Sequence, residues 1–359
     1  MSEPISQPSA AGLAPVGASI EFVLPPELEA RQPAELRGLR RDQVRLMVLP
    51  RFDGAPIHTR FDALQEYLRA GDLLVVNNSR TLPAMLTAID EQGRAVEVRL
   101  ASRRAEDIWD VLLLDGRAHV GHAEMRLTFG EGLSALILGR SPELPFLWQM
   151  QFDRCCMQLL DLIYRLGEPI RYSYLDRSLP LDLYQTVYAS QPGSVEMPSA
   201  GRPFTWEMLI RLQRRGVDLA AITLHTGLSS SRDDQLDAAH PIHPEAYEVT
   251  DATARAVNTA GARRSRVIAV GTSVVRTLET VALADGIIQP GRGTTTLRIT
   301  QAHQLRAVDA LLTGMHEPRA SHLDLLSAFV EPGRLQAAYL EAIQRGYLWH
   351  EFGDMNLIL

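Results

Sequence analysis

Cysteine is scarce in this chain of 359 residues. The two that occur, Cys155 and Cys156, are adjacent, so they cannot build a disulfide framework and they lack the spacing of a zinc site. Because both lie in a helical pattern, we expect them to be buried thiols.

Long hydrophobic runs are also missing, since no stretch of about 18 apolar residues is present to span a bilayer. The N-terminus has no basic segment leading into an apolar one, so we predict no secretion signal, no membrane association and a cytoplasmic location.

An excess of positive charge is absent as well. The chain carries 36 arginines and no lysine against 43 aspartates and glutamates, which gives a net charge of −7. This balance argues against an evenly basic nucleic-acid-binding protein, although it permits a local basic patch. The sequence also contains no Walker loop, no G-x-G-x-x-G after a strand and no G-x-S-x-G. Nucleotide hydrolysis, dinucleotide redox chemistry and serine hydrolysis therefore lack their usual motifs.

The hydrophobic patterns divide the chain into segments of different texture. Residues 1–19 are rich in Ser, Pro and Ala and are predicted to be a disordered lead-in. Apolar runs such as "RLMVL" and "LLVVN" predict strands of an α/β domain, which occupies residues 20–79 and 153–359. Between them, residues 80–152 show short alternating strands separated by glycine turns, the pattern of a small inserted β-barrel or sandwich.

Several helices are predicted in the main domain. One lies around residues 61–68, and another begins after Thr205, which is placed to cap it. Apolar periodicity further predicts a helix pair over 307–315 and 321–329, followed by a final helix over 335–345.

Two strand ends between residues 219 and 279 carry polar turns. The first strand ends at Leu224 and is followed by His225 and Gly227, and the second ends at Val270 and is followed by Gly271 and Thr272. We expect Thr272 to be the N-cap of the next helix. Polar or anionic ligands bind at such strand ends in open α/β sheets, although an ordinary crossover explains the same pattern.

Other polar residues have more than one interpretation. His240, His243 and Glu245 carry the imidazole and carboxylate groups that bind zinc in proteins. Two prolines interrupt this run, however, and a polar network or a surface loop explains it equally well. Arg276 is placed either to pair with Glu279 on the helix surface or to reach a carboxylate or phosphate at the helix start. His225, and His316 in its loop, fit either a structural or a functional role, and a histidine of near-neutral pKa can act as a general base.

Several stretches, in this order, make the chain resemble the S-adenosylmethionine:tRNA ribosyltransferase-isomerases of queuosine biosynthesis. They read "LPPEL", "LLVVNNSR", "YQTVYA", "PSAGRPF", "LHTGL", the H-x-x-H-x-E run with "YEV", "AVGTSVVRTLE", "VDALLTGMHEP" and "FGDMNLI". The resemblance implies an α/β fold, with a barrel-like α/β main domain and an inserted small antiparallel β-barrel. It also implies that S-adenosylmethionine donates a ribosyl group to 7-aminomethyl-7-deazaguanine at the tRNA wobble position. The products would be epoxyqueuosine, adenine and methionine, and no metal would be needed.

The resemblance has departures. The family's P-T-A-G-L-H-F motif has Arg202 in place of its leucine, and its T-N-F-H-L-P motif has Glu317 at the leucine position. Its H-V-G-x-G-T-F motif keeps His225 and Gly227 but ends in three serines at 229–231. Because an unpaired buried charge is costly, we expect the two new charged groups to face solvent, a partner or a ligand.

These observations lead to the following predictions. The protein is a transferase that uses S-adenosylmethionine as donor substrate and tRNA as acceptor, contacts the anticodon region and acts as a monomer. Its catalytic groups are His225, His243, Glu245 and His316, and its substrate-binding residues are Gly227, Gly271, Thr272, Arg276 and Arg202. Two alternatives stay open. One is a divergent paralogue that transfers the ribosyl group to a small-molecule acceptor, and the other is a non-catalytic nucleoside- or RNA-binding protein of the same fold.

Overall fold

The computed structural model describes residues 20–116, 118–172, 174–229 and 243–359. The predicted lead-in, His240 and the serines at 230 and 231 lie outside these residues. With strands numbered in chain order, the main sheet contains nine described strands, in the spatial order β16 (Gly291–Thr295), β14 (Glu245–Val249), β13 (Asp218–Leu224), β3 (Leu73–Asn77), β15 (Val267–Val270), β17 (Ala310–Gly314), β18 (Met355–Ile358), β1 (Arg45–Leu49) and β2 (Ile57–Arg60).

The central strands β13, β3, β15 and β17 are parallel to one another. Their carboxyl ends therefore meet at one edge of the sheet, which we call the carboxyl edge. Strand β18 is antiparallel to β17, and β1 is parallel to β18, so both begin at the same edge. Strand β3 is buried along its whole length, as expected for an apolar strand covered on both faces.

Five described helices cover the two faces of the sheet: α2 (Trp206–Arg214), α3 (Asp251–Ala262), α4 (Thr272–Val281), α5 (Ser321–Leu326) and α6 (Pro332–Gln344). The preceding helix, α1 (Cys156–Leu166), packs instead against the core of the inserted segment. Successive side chains of β3 point to opposite faces of the sheet and so belong to two separate hydrophobic cores. Leu73 and Val75 pack in the core that contains residues of α3, α4 and α6. Leu74 and Val76 pack in the core that contains residues of α2. Thr205 caps α2 as predicted, because its side chain accepts the N–H of Met208 at 3.2 Å.

One predicted helix is wrong. Residues 310–314 form strand β17, which is buried on both faces, and a short apolar run of this kind fits a helix or a strand equally well in the sequence. The helix predicted at 61–68 is a 3₁₀ segment, Phe61–Glu66. The remaining two helices predicted in the C-terminal region are present as α5 and α6. Among the described residues, no helix has the length and apolarity that crossing a membrane requires.

The inserted segment forms a closed antiparallel barrel. Its strands are β5 (Met85–Asp90), β6 (Ala95–Arg103), β7 (Ile108–Asp115), β9 (Arg126–Thr128), β10 (Ser134–Arg140) and β11 (Trp148–Phe152). They are hydrogen-bonded in the order β11-β10-β9-β5-β6-β7, and β7 pairs back with β11, which closes the ring. The short strand β8 (Ala118–His119) pairs in antiparallel fashion with the end of β7. Closure leaves no long strand edge exposed.

The expected α/β class with an inserted antiparallel β-barrel is thus confirmed. In the described part of the main sheet, the outermost strands β16 and β2 do not pair with each other, so the closed ring belongs to the inserted segment. The domain limits at residues 80 and 152 stay predictions. Near the first limit, β4 (Ser79–Thr81) pairs in parallel with β12 (Gln191–Ser194).

The expectation of buried thiols is wrong, because Cys155 and Cys156 are both exposed. Cys155 has an extended backbone and is the N-cap of α1, and Cys156 has φ of 56°. Helical periodicity therefore does not govern where these two side chains point. The buried face of α1 begins only at Leu159.

Candidate active site

The carboxyl edge is held together by Asn77, the last residue of β3. Its Oδ1 accepts the N–H of Leu224 at 3.0 Å and that of Ser79 at 3.1 Å, and its Nδ2 donates to the carbonyl oxygen of Leu224 at 2.9 Å. The same amide nitrogen lies 3.4 Å from Oγ of Ser273 in the first turn of α4. With 2% of its surface exposed, this amide fixes two strand ends and a helix start relative to one another.

His225 follows directly after β13 and stands over the small β4–β12 ladder. Its Nδ1 shares a hydrogen bond of 2.8 Å with Oγ of Ser79, which in turn lies 2.6 Å from Oγ of Ser194. The imidazole packs against Gly193, where an added Cβ would come within 2.5 Å of the ring. Burial, together with the positive charge of Arg103, lowers the pKa of His225. The ring is therefore neutral near pH 7 and able to accept a proton.

Glu245 and Arg276 form an ion pair between the start of β14 and helix α4. The second oxygen of Glu245 accepts the N–H of Gly227 at 3.3 Å, and Nε of Arg276 donates to the carbonyl oxygen of Leu297 at 3.0 Å. Burial raises the pKa of Glu245, although Arg276 and the Gly227 N–H act in the opposite direction. Arg276 thus pairs with a carboxylate of the protein itself, and its predicted contact with a ligand carboxylate or phosphate at the helix start stays a prediction.

The alternative pairing of Arg276 with Glu279 is wrong. Glu279 is buried, and its carboxylate accepts the backbone N–H groups of Arg306 and Ala307 at 3.0–3.1 Å, with His303 at 3.2 Å. The carboxylate therefore anchors the segment that leads into β17.

The start of α4 differs from the prediction in one residue. Gly271 is the N-cap, with φ of 97°, and Thr272 is the first helical residue and makes no capping bond. An added Cβ at Gly271 would also approach Cβ of Ala200 to 3.3 Å, so both the backbone conformation and the space favour glycine. The helix start still lies at the carboxyl edge, where its N–H groups face the ends of the strands.

His316 lies just beyond the end of β17. Its Nε2 shares a 2.8 Å hydrogen bond with Oγ1 of Thr313, and its ring stacks on that of His322 at 4.6 Å. Burial, together with the charge of His322, lowers its pKa well below the usual value. His316 is therefore a neutral ring at the same edge as His225.

The two unexpected charges of the family motifs both have partners. Arg202 is buried and donates to Glu35 and to the carbonyl oxygen of Leu183, each at 2.8 Å. It also lines a pocket at the carboxyl edge, whose walls include Ser199, Gly314, His350, Glu351 and Met355. Glu317 is exposed and pairs with His350 at 3.0 Å.

His243 points toward the inserted barrel, where its ring lies 6.0 Å from that of Phe146. His240 is outside the described residues, so the structure does not address an ion held by the H-x-x-H-x-E run. Within the described residues, a group of three side chains close enough to share a metal ion occurs elsewhere, at Glu106, Cys155 and Cys156.

Glu196 is a further candidate site residue, which the sequence does not indicate. Its Oε1 accepts the N–H and the Oγ–H of Ser229, at 2.7 and 2.9 Å. Burial raises its pKa to about 7, Ser229 and Arg99 act against that rise, and the neighbouring Glu245 adds to it. A carboxyl group with a pKa near 7, in the neighbourhood of Glu245, suits proton transfer. It lies between segments without periodicity, so the sequence offers no signal for it, whereas Asn77 at the end of an apolar run does.

Comparison with known proteins identifies the family. The profile of the family described as "Queuosine biosynthesis protein" matches residues 18–358. The chain belongs to this family. Among curated relatives, a protein of Moorella thermoacetica named S-adenosylmethionine:tRNA ribosyltransferase-isomerase is 40% identical over 345 residues, covering 94% of this chain and 98% of the relative. A protein of the same name from Thermotoga maritima is 39% identical with the same coverage.

A solved structure of this queuosine biosynthesis family has the same architecture. The crystal structure of the S-adenosylmethionine tRNA ribosyltransferase from Thermotoga maritima matches with a TM-score of 0.54 and 32% identity, covering 95% of this chain and 100% of that one. The family predicted from the sequence motifs is thus confirmed.

Proposed function

We propose that this protein transfers and isomerises the ribosyl group of S-adenosylmethionine onto 7-aminomethyl-7-deazaguanine in tRNA, giving epoxyqueuosine. The observation that carries the proposal is the similarity to relatives named for this reaction, one of which is 40% identical over 345 residues. The carboxyl edge of this chain supports it, because neutral imidazoles, a near-neutral carboxyl group and a helix start converge there.

The chemistry asks for a base and for charge positioning. The sulfonium of S-adenosylmethionine acidifies the neighbouring C5′ hydrogens, so a neutral base can remove a proton to form an ylide-like carbanion. Departure of adenine then opens the sugar for rearrangement to the epoxide, and the amine of the deazaguanine is the nucleophile. His225, with its lowered pKa, is the proton acceptor that we favour, and Glu196 with a pKa of about 7 is suited to return a proton.

The other predicted site residues keep proposed roles. His243, Glu245 and His316 position or transfer protons, while Gly227, Gly271, Thr272 and Arg276 contact the donor at the helix start. Arg202 acts as a wall of the pocket at the carboxyl edge rather than as a free cation, since Glu35 already neutralises it. S-adenosylmethionine is the donor substrate, no metal takes part, and the monomer binds the anticodon region of tRNA in the cytoplasm.

The deciding experiment follows adenine and methionine by chromatography. Purified protein is incubated with S-adenosylmethionine, with and without tRNA that carries the deazaguanine precursor. The proposal expects both products only with that tRNA. Binding of S-adenosylmethionine without adenine release would contradict it.

A second candidate function has a specific observation in its favour. Arg202, Glu317 and Ser229 alter three motifs of the family, and two of these residues contact His350 or Glu196 at the carboxyl edge. Such changes fit a paralogue that uses a small deazapurine-like amine as acceptor. That function predicts adenine release with the free amine and no dependence on tRNA, whereas a non-catalytic binding protein of this fold would release no adenine with either acceptor.

A further inference from the structure

The carboxyl edge continues beyond the candidate active site toward β1 and β2. The register aligns Gly314 at the end of β17 with Met355 on β18, and Met355 with Leu46 on β1. Arg45 and Arg60 face each other one residue further out, at the start of β1 and the end of β2. Both arginines therefore lie at the same edge of the sheet as the active-site residues.

An open cleft lies at this end of the edge. It is lined by the guanidinium-bearing Arg45, Arg60 and Arg345 and by His58, Thr59 and Tyr347, and we call it the arginine cleft. The pocket walled by Gly314 and Met355 lies between this cleft and the strand ends that carry His225 and Gly271. Its lining also includes Val44, the neighbour of Arg45 in the chain. The two depressions thus follow one another along the carboxyl edge.

The charges of the arginine cleft are only partly neutralised. Arg345 donates to Glu341 at 2.8 Å, and that carboxylate also contacts His58 at 3.1 Å. Arg45 donates to the carbonyl oxygen of Arg345 and lies over the ring of Tyr347 at 5.6 Å, which orients it without neutralising it.

Arg60 is exposed and has no side-chain partner among the described residues. The remaining carboxylate nearby, that of Asp354, is buried and accepts the backbone N–H groups of Arg45 and Leu348. Three guanidinium groups therefore stand against two carboxylates, those of Glu341 and the buried Asp354, and positive charge is in excess.

We propose that the arginine cleft binds backbone phosphates of the RNA substrate while the modified base occupies the active site. Five strand spacings separate β3 from β2, a span of roughly 24 Å at about 4.8 Å for each spacing. A single nucleic-acid strand carries a charge about every 3.4 Å of helix axis, so several phosphates fit along this span. Arginine is suited to the task because its planar fork matches phosphate oxygens. The inference rests on the proposed function, since it assigns a place to the tRNA.

The test compares charge reversal at the two opposite edges of the sheet. Arg60→Glu removes the arginine without an internal partner. Arg214→Glu is the matched control, because Arg214 is also exposed and without a side-chain partner among the described residues, but it lies near the start of β13 at the amino edge. Binding of precursor-bearing tRNA is measured by fluorescence anisotropy over a series of salt concentrations, without S-adenosylmethionine.

We expect Arg60→Glu to weaken tRNA binding by about fivefold and to reduce the slope of log affinity against log salt by about one, with Arg214→Glu unchanged. Equal effects of the two variants would overturn the proposal. Weaker binding of inorganic tripolyphosphate with unchanged tRNA binding would also overturn it, because the cleft would then be a site for a small polyanion. Adenine release by the wild-type protein is measured separately, so that failure of the reaction is distinguished from failure of the cleft.

Discussion

Glu245 receives the guanidinium of Arg276 on one oxygen and the N–H of Gly227 on the other. This carboxylate therefore ties helix α4 to the turn that follows β13, the two elements that frame the proposed donor site. Because burial raises its pKa, the charged form of Glu245 depends on those partners.

Removing the cation should expose that dependence. We expect Arg276→Met to lower the free energy of unfolding by about 2–3 kcal/mol, toward the lower end for a broken buried ion pair because both groups keep some exposure. The double variant with Glu245→Gln should recover part of the loss, since no unpaired charge remains and the glutamine oxygen still accepts from Gly227. Urea unfolding of the single and double variants measures the coupling, and strictly additive changes would contradict the assigned pair.

The sequence predicts the elements of this site better than it predicts their contacts. Strand β3 and the turns after β13 and β15 are evident because an apolar run ends in polar or small residues, and parallel strands bring such ends to one edge. Asn77 and His225 lie at this edge, where each contacts Ser79. Glu196 does not follow from any period, and its proximity to Glu245 arises only when the β4–β12 ladder folds back on β13.

Three local predictions are wrong for physical reasons. The helix predicted over 307–315 contains strand β17 instead, because the strand is apolar on both faces and a short apolar run fits a helix or a strand equally well. Thr272 was predicted as the cap because threonine favours that position, but Gly271 adopts the positive φ that the turn requires. The expected burial of the cysteines is wrong because Cys155 precedes α1 and Cys156, its first residue, has a φ of 56°.

The carboxyl group of Glu196 should make stability depend on pH. Its folded-state pKa of about 7 lies above the usual 4.5, so the folded protein keeps a proton that the unfolded chain has already lost. The contribution of this raised pKa to the free energy of unfolding is fully present below about pH 4.5 and is lost as the pH rises through 7.

We therefore expect Glu196→Gln to gain stability relative to wild type between pH 5 and pH 8, by roughly 2–3 kcal/mol. Urea unfolding at several pH values gives the difference. Burial also raises the pKa of Glu351 to about 7, but this residue is present in both proteins and cancels. A stability difference that does not change with pH would refute the raised pKa.

The exposed cysteines should react in the native protein, but at a rate set by Glu106. Cys156 donates to Glu106 at 2.7 Å, and this hydrogen bond raises the pKa of the thiol to about 12. The thiolate is the reactive form, so alkylation of Cys156 near neutral pH should be slow although the thiol is exposed. Glu106→Gln removes the negative charge and should speed the reaction about tenfold or more.

Peptide mass spectrometry after timed treatment with iodoacetamide measures the rate at each cysteine. Asp107→Asn is the control, because the Asp107 side chain accepts from Gln151 and does not contact a thiol in the structure. Labelling that required denaturant in every variant would restore the expectation of buried thiols.

The contact between Gly193 and His225 allows the proposed base to be displaced without changing it. Gly193 lies in β12, where the pairing with β4 shifts register, and an added Cβ would come within 2.5 Å of Cε1 and Nδ1 of the imidazole. Gly193→Ala must therefore push the ring away from Ser79. A misplacement of about 1 Å in a catalytic group can cost up to roughly 100-fold in rate, so we expect adenine release to fall between about 10-fold and 100-fold.

Gly291→Ala supplies the matched control, because Gly291 is also a strand residue and an added Cβ there meets nothing within 4 Å. That variant should keep the wild-type rate, and urea unfolding should show that both variants remain folded. If Gly193→Ala releases adenine as fast as Gly291→Ala, His225 does not act as the base. The neutral ring of His316 at the same edge would then be the group to test, since Thr313 holds it in place independently of β12.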